Sequence, residues 1–320
     1  MRRSWLRDSF FRISKKDEER EKAFAENGSK LLEKLIASCN GKPIPIRSFS
    51  AQDLRQATNN YCEHQAWHWY KGSLEGQAVL VMRLADEVDL AINDLVISSK
   101  MSVHGNMLRP IGCCLETTNP IIVYEFAANA HAISCLHTAF QRRVIRMAIH
   151  MTNILLDEHD VPKLSNFLVS VSIPEGETDV EAYEGLWNSR FSTPELEASG
   201  RASEKTDVYK FGELLLELLT GECSYKTARL TIGDDSTLLA YMHNHARGSC
   251  INELVDPAIL AEDAEGSASL HWQLQAVLEL ALTCTEEDQQ RRPTMIDVTI
   301  KLRQIERFIP RLIIYLLAFN

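Results

Sequence analysis

The sequence predicts an α+β protein in which a small strand-rich region precedes a larger helical region. Runs typical of strands, "AWHWYKGS", "QAVLVMRL" and "NPIIVYEF", all fall before residue 127. After about residue 198, apolar residues recur with helical spacing in three long segments. The 320 residues are enough for two such regions, each with its own hydrophobic core.

Three helices are predicted in or before the strand-rich region. Residues 17–38 are charged, and their apolar residues have roughly helical spacing. The stretch "FSAQDLRQATNNY" predicts a short amphipathic helix that is capped by Ser50, with Asp53 three residues further on. Residues 87–99 have the pattern of a third helix, and a Leu-Glu-Gly turn separates the first two strand-like runs.

Three amphipathic helices are predicted in the second region. The stretch "EKTDVYKFGELLLELLTG" has one wide apolar face, formed by Val208, Phe211, Leu214, Leu215, Leu218 and Leu219. Gly221 is expected to end this helix as its C-cap. The stretches "LHWQLQAVLELALTC" and "TMIDVTIKLRQIERF" predict the other two helices. The last one has an apolar stripe of Met295, Val298, Leu302 and Ile305.

Composition and charge argue against several classes of function. The net charge of -10 gives no electrostatic basis for binding nucleic acid. The eight cysteines form no Cys-x-x-Cys pair and no zinc-type spacing, so we interpret them as reduced thiols and expect no metal site. The sequence contains no signal peptide and no membrane-spanning stretch, which predicts a cytoplasmic protein.

Both ends of the chain have a distinctive composition. Residues 1–16 mix basic with aromatic residues, which suits peripheral contact with the plasma membrane. We favour the alternative of a loose basic arm or a docked helix, since short basic arms are common. Arg2 stands where N-myristoylation requires glycine. Residues 308–320 are apolar but too short to cross a membrane, and either a docking segment or a wrong gene end would explain them.

Several stretches follow one another in an order that is known from one protein family. In chain order they are "WYKGSLEGQAVLVMRL", "HGNMLRPIGCCLETTNPIIVYEF", "NILLDEHDVPKLSNF", "TPELEASGRASEKTDVYKFGELLLELLTG" and "RRPTM". Together they cover most of residues 48–307 and resemble plant receptor-like kinases of the wall-associated-kinase-like class. "LHTAF" and "KLSNFLVSVSIPEGET" make the resemblance closest to the ZRK group of cytoplasmic immune pseudokinases.

The resemblance implies a bilobal protein-kinase-like fold. Residues 1–47 would be a basic and charged helical extension, 48–126 the N-lobe and hinge, 127–307 the C-lobe, and 308–320 an apolar tail. Between the hinge and Arg146, too few residues remain for the two helices that kinases place there. We therefore expect a shortened C-lobe after the hinge. Either neighbouring elements cover the gap or the gene model has lost an exon.

The N-lobe positions that would hold ATP have lost their usual residues. The stretch "NNYCEHQAWHWYKG" has no glycine before Gly72, and we interpret its aromatic residues as core packing. Met82 stands where kinases place the lysine that grips the phosphates. Arg83 would replace this lysine only if the strand register slipped, because alternation points it to the opposite face. Asp94 stands at the position of the helix glutamate, and we interpret it as a surface carboxylate.

The C-lobe positions that would carry the reaction are also changed. Arg146-Met147-Ala148 stand where kinases have His-Arg-Asp, and Ala148 cannot accept the proton of a substrate hydroxyl. Asn153 remains where kinases have a metal-coordinating asparagine. Asn166-Phe167-Leu168 replace Asp-Phe-Gly, so a neutral amide stands where a carboxylate would bind Mg²⁺.

Residues with structural roles in kinases are retained. Pro194 and Glu195 stand at the end of the activation segment, and Arg292 stands where the buried partner of that glutamate would be. Asp207 begins the central helix, where its carboxylate can orient the catalytic-loop backbone. The sequence thus keeps scaffold residues and has lost reaction residues.

Three interpretations are compatible with this pattern. The first is a catalytically inactive pseudokinase without ATP or Mg²⁺, for which the resemblance implies an NLR immune receptor and receptor-like cytoplasmic kinases as partners. The second is an ATP-binding Ser/Thr protein kinase with atypical catalytic residues. The third is a non-functional truncated paralogue. We favour the first, because loss of the glycines, the lysine, the base and the magnesium ligand together leaves little catalytic power.

Overall fold

The chain forms two compact units in the computed structural model. The described residues are 15–39, 46–62, 64–66, 69–85, 87–102, 108–125, 143–156, 162–186, 191–222, 237–246, 250–261 and 268–306. The first unit holds those up to Ser102 and from Leu108 to Glu125, and the second holds those from Arg143 onward. Most of the basic arm, the expected shortening after the hinge and the apolar tail lie outside the described residues.

The first unit contains a six-stranded sheet. Its strands are β1 (Arg47–Ser48), β2 (His64–Ala66), β3 (Trp69–Leu74), β4 (Gln77–Arg83), β5 (Pro110–Cys114) and β6 (Ile121–Glu125). Their order is β1-β5-β6-β4-β3-β2, with β1 parallel to β5 and all other pairs antiparallel. The three predicted strand runs are confirmed as β3, β4 and β6.

A two-residue turn connects β3 to β4. Leu74 pairs with Gln77, so only Glu75 and Gly76 lie between the strands. Their φ angles are +53° and +80°, which is the geometry of a type I′ turn. Glycine at the second position adopts this φ without strain, and the predicted Leu-Glu-Gly turn is confirmed.

The described part of the first unit contains three helices, and all were predicted from the sequence. They are α1 (Lys15–Cys39), α2 (Ala51–Ala57) and α3 (Val88–Met101). At the start of α2, Ser50 Oγ accepts from the Asp53 N–H at 3.1 Å and the Asp53 carboxylate accepts from the Ser50 N–H at 2.9 Å. The Asn27 amide of α1 donates to the carbonyls of Leu115 and Thr117 at 3.0 and 2.9 Å, which joins the charged helix to the loop after β5.

The second unit is mainly helical, with three short strand pairs among the described residues. The strands are β7 (Val144–Ile145), β8 (Ile154–Leu156), β9 (Pro162–Leu164), β10 (Val171–Ser172), β11 (Asp179–Glu181) and β12 (Arg201–Ser203). The α-helices are α4 (Pro194–Ser199), α5 (Glu204–Thr220), α6 (Leu238–His245), α7 (Ile251–Leu254), α8 (Pro257–Ala261), α9 (Ala268–Cys284) and α10 (Met295–Glu306). None of the helices in the described ranges has the length and apolar character of a membrane span.

Helix α5 forms the centre of the second unit. It runs between a capping box at Ser203 and a left-handed C-cap at Gly221, with φ of +68°, so the predicted C-cap is confirmed. The helix is buried on more sides than its apolar face predicts, because Asp207, Lys210 and Glu217 are buried as well. Its apolar residues share one core with those of α6, α9 and α10. Buried polar groups in such a helix require partners.

Close packing between α5 and α9 depends on Gly212. A Cβ atom there would lie 2.7 Å from both Cys284 Cβ and Thr285 Cγ2. We expect Gly212→Ala to lower the free energy of unfolding by about 1–3 kcal/mol, because a well-packed core does not accept an added methyl group without strain. Urea unfolding of the purified chain measures this change.

The matched control for this substitution is Gly28→Ala in α1. A Cβ atom at Gly28 would meet nothing within 4 Å. This variant should be about 0.5–1 kcal/mol more stable, because alanine favours the helix. Equal effects at the two positions would contradict the packing of α5 on α9.

Candidate active site

Met82 and Arg83 lie on opposite faces of β4, as alternation along a strand predicts. Met82 is buried and pairs with Trp69 on β3 and Ile122 on β6. Arg83 is exposed, and its guanidinium carbon lies 5.0 Å from the centre of the Tyr61 ring. The register has not slipped, so Arg83 does not occupy the face on which the lost lysine would lie.

The described aromatic residues of this region pack against one another, as predicted. Trp69 is buried, and its ring centre is 5.3 Å from that of Tyr124. Tyr70 meets Tyr61 edge to face at 5.2 Å. Trp67 and His68 lie outside the described residues.

The prediction that Asp94 is a surface carboxylate is wrong. Its side chain on α3 is fully buried and accepts hydrogen bonds from the Tyr124 hydroxyl and from Ser98 Oγ, the latter at 3.2 Å. Burial and the neighbouring Asp94 carboxylate raise the pKa of Tyr124 well above its usual range, so this hydroxyl remains a donor. Asp94 therefore joins α3 to β6 within the first unit.

Asp207 anchors the catalytic-loop segment of the second unit. It is fully buried at the start of α5, and its carboxylate accepts from the backbone N–H groups of Arg146 and Met147, with shortest distances of 2.9 and 2.7 Å. Met147 has a φ of +61°, which is unusual for a residue with a long side chain. The N–H of Ala148 donates to the Arg146 carbonyl at 2.8 Å and closes this tight turn.

The side chain of Arg146 turns inward. It is fully buried and donates to the carbonyls of Ala148 and Ser165. Its guanidinium carbon lies 5.1 Å from the centre of the buried Phe167 ring. Arg146 thus connects the catalytic loop with the segment that would bind Mg²⁺.

Asn153 and Asn166 are hydrogen-bonded to each other. The Asn166 side-chain amide donates to Asn153 Oδ1 at 2.9 Å, and the Asn153 amide donates to the Ala148 carbonyl at 3.0 Å. Asn166 has a φ of +67°, a conformation that asparagine adopts more readily than most residues. Asparagine at position 166, where kinases have aspartate, therefore suits this backbone conformation. One of the two acceptor oxygens of the carboxylate is replaced by an NH₂ group, which donates.

This arrangement does not fit a magnesium ion. Mg²⁺ prefers charged oxygen ligands, and here Asn153 Oδ1 accepts a hydrogen bond from an amide N–H, a group that would repel a cation. The base position is Ala148, which is buried and has no proton acceptor in its side chain. Within the described ranges, no group of three or more His, Cys, Asp or Glu side chains is arranged to hold a metal ion.

Glu195 and Arg292 form a buried ion pair. The two guanidinium nitrogens of Arg292 contact the two carboxylate oxygens of Glu195 at 2.9 and 3.0 Å. Thr206 Oγ1 also donates to Glu195, at 2.9 Å. Burial is the largest single effect and raises the pKa of Glu195, but the hydrogen bonds and the positive charge of Arg292, together with the other hydrogen bonds to this carboxylate, outweigh it, and the net pKa is lowered. Pro194 is the first residue of the helix that carries this glutamate.

Comparisons with known proteins identify the family. The kinase family described as "Protein tyrosine and serine/threonine kinase" matches residues 130–302. In Arabidopsis thaliana, "Serine/threonine-protein kinase ZRK1" is 32% identical over 90% of this chain and 94% of its own length. "Non-functional pseudokinase ZRK2" is also 32% identical, over 92% and 93%. "Non-functional pseudokinase ZED1" is 32% identical over 92% and 99%.

The chain belongs to the protein kinase family, as a ZRK-like member. The expected family and the mixed fold, with a strand-rich N-lobe and a helical C-lobe, are confirmed. Relatives of this ZRK-like kinase are named both as non-functional pseudokinases and as Ser/Thr kinases, so membership alone does not assign an activity.

Some polar contacts of the ZRK-like kinase were missed from the sequence. Ser165 donates from both Oγ and N–H to the Asn153 carbonyl at 3.0 Å, and Ser170 Oγ donates to the Arg146 carbonyl at 3.3 Å. The partner of Asp94 was also missed. The sequence contained one signal for this contact, because Asp94 interrupts an apolar helix and Tyr124 ends an apolar run of strand residues. A polar group in such an environment requires a hydrogen-bond partner.

The hydrogen bond between Asn153 and Asn166 predicts how an aspartate at position 166 would change the stability of the fold. In Asn166→Asp, a carboxylate would face Asn153 Oδ1, and the two acceptors would repel each other unless a cation lay between them. We expect the variant to lose about 1–3 kcal/mol of stability in EDTA and to regain part of it with Mg²⁺. Urea unfolding with and without Mg²⁺ measures both effects.

Asn60→Asp is the matched control, because Asn60 is exposed and has a similar φ of +58°. Its stability should change little and should not respond to Mg²⁺. If Asn166→Asp also behaves in this way, the hydrogen bond between the two asparagines does not hold this loop.

The ion pair of Glu195 predicts a dependence of stability on pH. Its pKa is lowered in the folded state, so the pair stabilises the fold above the unfolded value of about 4.3, and this contribution is lost as the pH falls through the folded pKa. Glu195→Gln should cost about 3 kcal/mol near pH 7. The difference from the parent chain should shrink below about pH 4.

Urea unfolding at several pH values measures this difference. The control is Glu197→Gln, which changes an exposed glutamate on the same helix and should shift stability by less than about 0.5 kcal/mol. A cost of Glu195→Gln that stays constant between about pH 7 and pH 3.5 would exclude a lowered pKa as its cause.

Proposed function

We propose that this chain is a catalytically inactive pseudokinase that acts as an adaptor or decoy in plant immune signalling. It would bind an NLR immune receptor and receptor-like cytoplasmic kinases, without ATP or Mg²⁺ as cofactors. The observation that carries the proposal is the hydrogen bond between the side chains of Asn166 and Asn153, at 2.9 Å. It occupies both side chains that a kinase would use on the metal.

The retained scaffold supports a function that requires the fold. The contacts of Asp207 and the Glu195–Arg292 pair hold backbone segments in place, and neither needs nucleotide or metal. In an active kinase the same segments position reacting groups. Here they present surfaces of defined shape, which is what an adaptor requires.

Exposed apolar side chains support binding to other proteins. Phe24, Leu32 and Ile36 are 48%, 59% and 58% exposed and recur along α1 at intervals of eight and four residues. Ile296 and Ile300 are 47% and 51% exposed on successive turns of α10. Apolar residues that recur on one side of a helix are more typical of interaction surfaces than isolated ones are.

Nucleotide binding by the purified chain tests the inactive state. We expect no thermal shift with Mg²⁺ and ATP at millimolar concentration, because a ligand that binds the folded state must raise its apparent stability. A dose-dependent shift of the parent chain, above that of Mg²⁺ alone, would favour the alternative of an ATP-binding Ser/Thr kinase.

Co-purification from leaf tissue tests the adaptor role. The tagged full chain should enrich an NLR receptor and at least one receptor-like cytoplasmic kinase over a tag-only control, as identified by mass spectrometry. Replacing Phe24, Leu32 and Ile36 by serine tests whether α1 contributes. Enrichment of neither protein class by a soluble, folded chain would contradict the proposal, and a chain that is never soluble would favour the non-functional paralogue.

A further inference from the structure

The first unit contains a cavity of about 620 Å³ that no kinase role explains. It lies among α1, α2, β3, β4 and the loop after β5. Its charged lining comes from Glu19 and Arg20 on α1, Arg55 on α2, Arg83 on β4 and Glu116 in the loop. The volume is in the range of cavities that bind small molecules. Arg83 points to the face of β4 opposite to Met82, so the cavity is distinct from the face where kinases place their lysine.

The lining has an excess of positive charge. Three arginines face two glutamates, although the whole chain has a net charge of -10. Glu116 is already occupied, because it pairs with Arg20 at 2.6 Å and accepts from the Ala51 N–H at 3.2 Å. Among the described residues, no carboxylate lies within ion-pair distance of Arg55 or Arg83. Two guanidinium groups of one cavity are therefore available to an anion.

One further feature prepares the Arg83 side chain for a ligand. The Arg83 guanidinium lies over the Tyr61 ring, a contact that limits the conformations of its side chain. A guanidinium that is held in this way loses less entropy when it binds an oxyanion.

We propose that this cavity binds a phosphate monoester. The group has a charge between -1.5 and -2 near neutral pH and three acceptor oxygens. These features match the guanidinium groups of Arg55 and Arg83, neither of which has an ion-pair partner among the described residues. A carboxylate has only two oxygens and a charge of only -1. The phosphate comes either from a small metabolite or from a phosphorylated side chain of a partner protein. The proposal does not depend on whether the chain is inactive as a kinase.

Titration of the full chain with inorganic phosphate, free phosphoserine and a phosphoserine peptide tests the proposal, with serine and the unphosphorylated peptide as negative controls. Isothermal titration calorimetry at two salt concentrations measures affinity. We expect saturable binding of phosphoserine that weakens at higher salt. Arg55→Gln and Arg83→Gln should each weaken it about tenfold or more. Glu19→Gln should strengthen it, because a negative charge is removed from the lining.

Arg109→Gln is the matched control. Arg109 pairs with Glu125 at 2.9 Å in the same unit and does not line the cavity, so its loss should leave phosphoserine binding unchanged. Arg55 and Arg83 are exposed, and circular dichroism checks that their variants remain folded.

Tighter binding of the phosphopeptide than of phosphoserine would indicate a partner side chain as the source of the phosphate, and equal affinities would indicate a small metabolite. The proposal is overturned if none of the three phosphate probes binds saturably, or if the double Arg55→Gln, Arg83→Gln variant binds as the parent chain does.

Discussion

The carboxylate of Asp207 is the constraint on which the second unit depends. It accepts hydrogen bonds from the backbone N–H groups of two successive residues, Arg146 and Met147. These bonds stabilise the left-handed conformation of Met147, which is unfavourable for a residue with a long side chain. The turn directs the Arg146 side chain inward, where it donates to carbonyls on both the catalytic loop and the segment before Phe167. The carboxylate of Asp207 and the guanidinium of Arg146 are both buried, and the hydrogen bonds that each forms with the backbone limit its desolvation cost.

This network holds the two loops by contacts within the chain. In a kinase, charged ligands at the magnesium site require the metal to offset their repulsion. In this ZRK-like kinase, Asn166 and Asn153 satisfy each other, so the loop is complete without a cation. The ion pair of Glu195 and Arg292 secures a second segment independently. These contacts do not require phosphoryl transfer, which is compatible with relatives named both as kinases and as pseudokinases.

Periodicity and capping signals predicted most of the fold, because helices and strands are largely determined by neighbouring residues. The capping box of Ser50, the C-cap at Gly221 and the stripe of α10 were all read from local sequence. Contacts between distant residues were harder. Asp94 was assigned to the surface because its donor, Tyr124, lies 30 residues away on another element. The arginine-lined cavity was missed for the same reason, since its residues come from separate helices, a strand and a loop.

The central claim is that these loops are maintained by internal hydrogen bonds and do not support phosphoryl transfer. Incubating the purified chain with γ-labelled ATP, Mg²⁺ or Mn²⁺, and a general protein substrate tests it most directly. We expect no label on the chain or the substrate above that seen with an Asn166→Ala, Asn153→Ala variant. Label transfer by the parent chain that this double variant abolishes would contradict this claim, because it would show that the two asparagines hold a working metal.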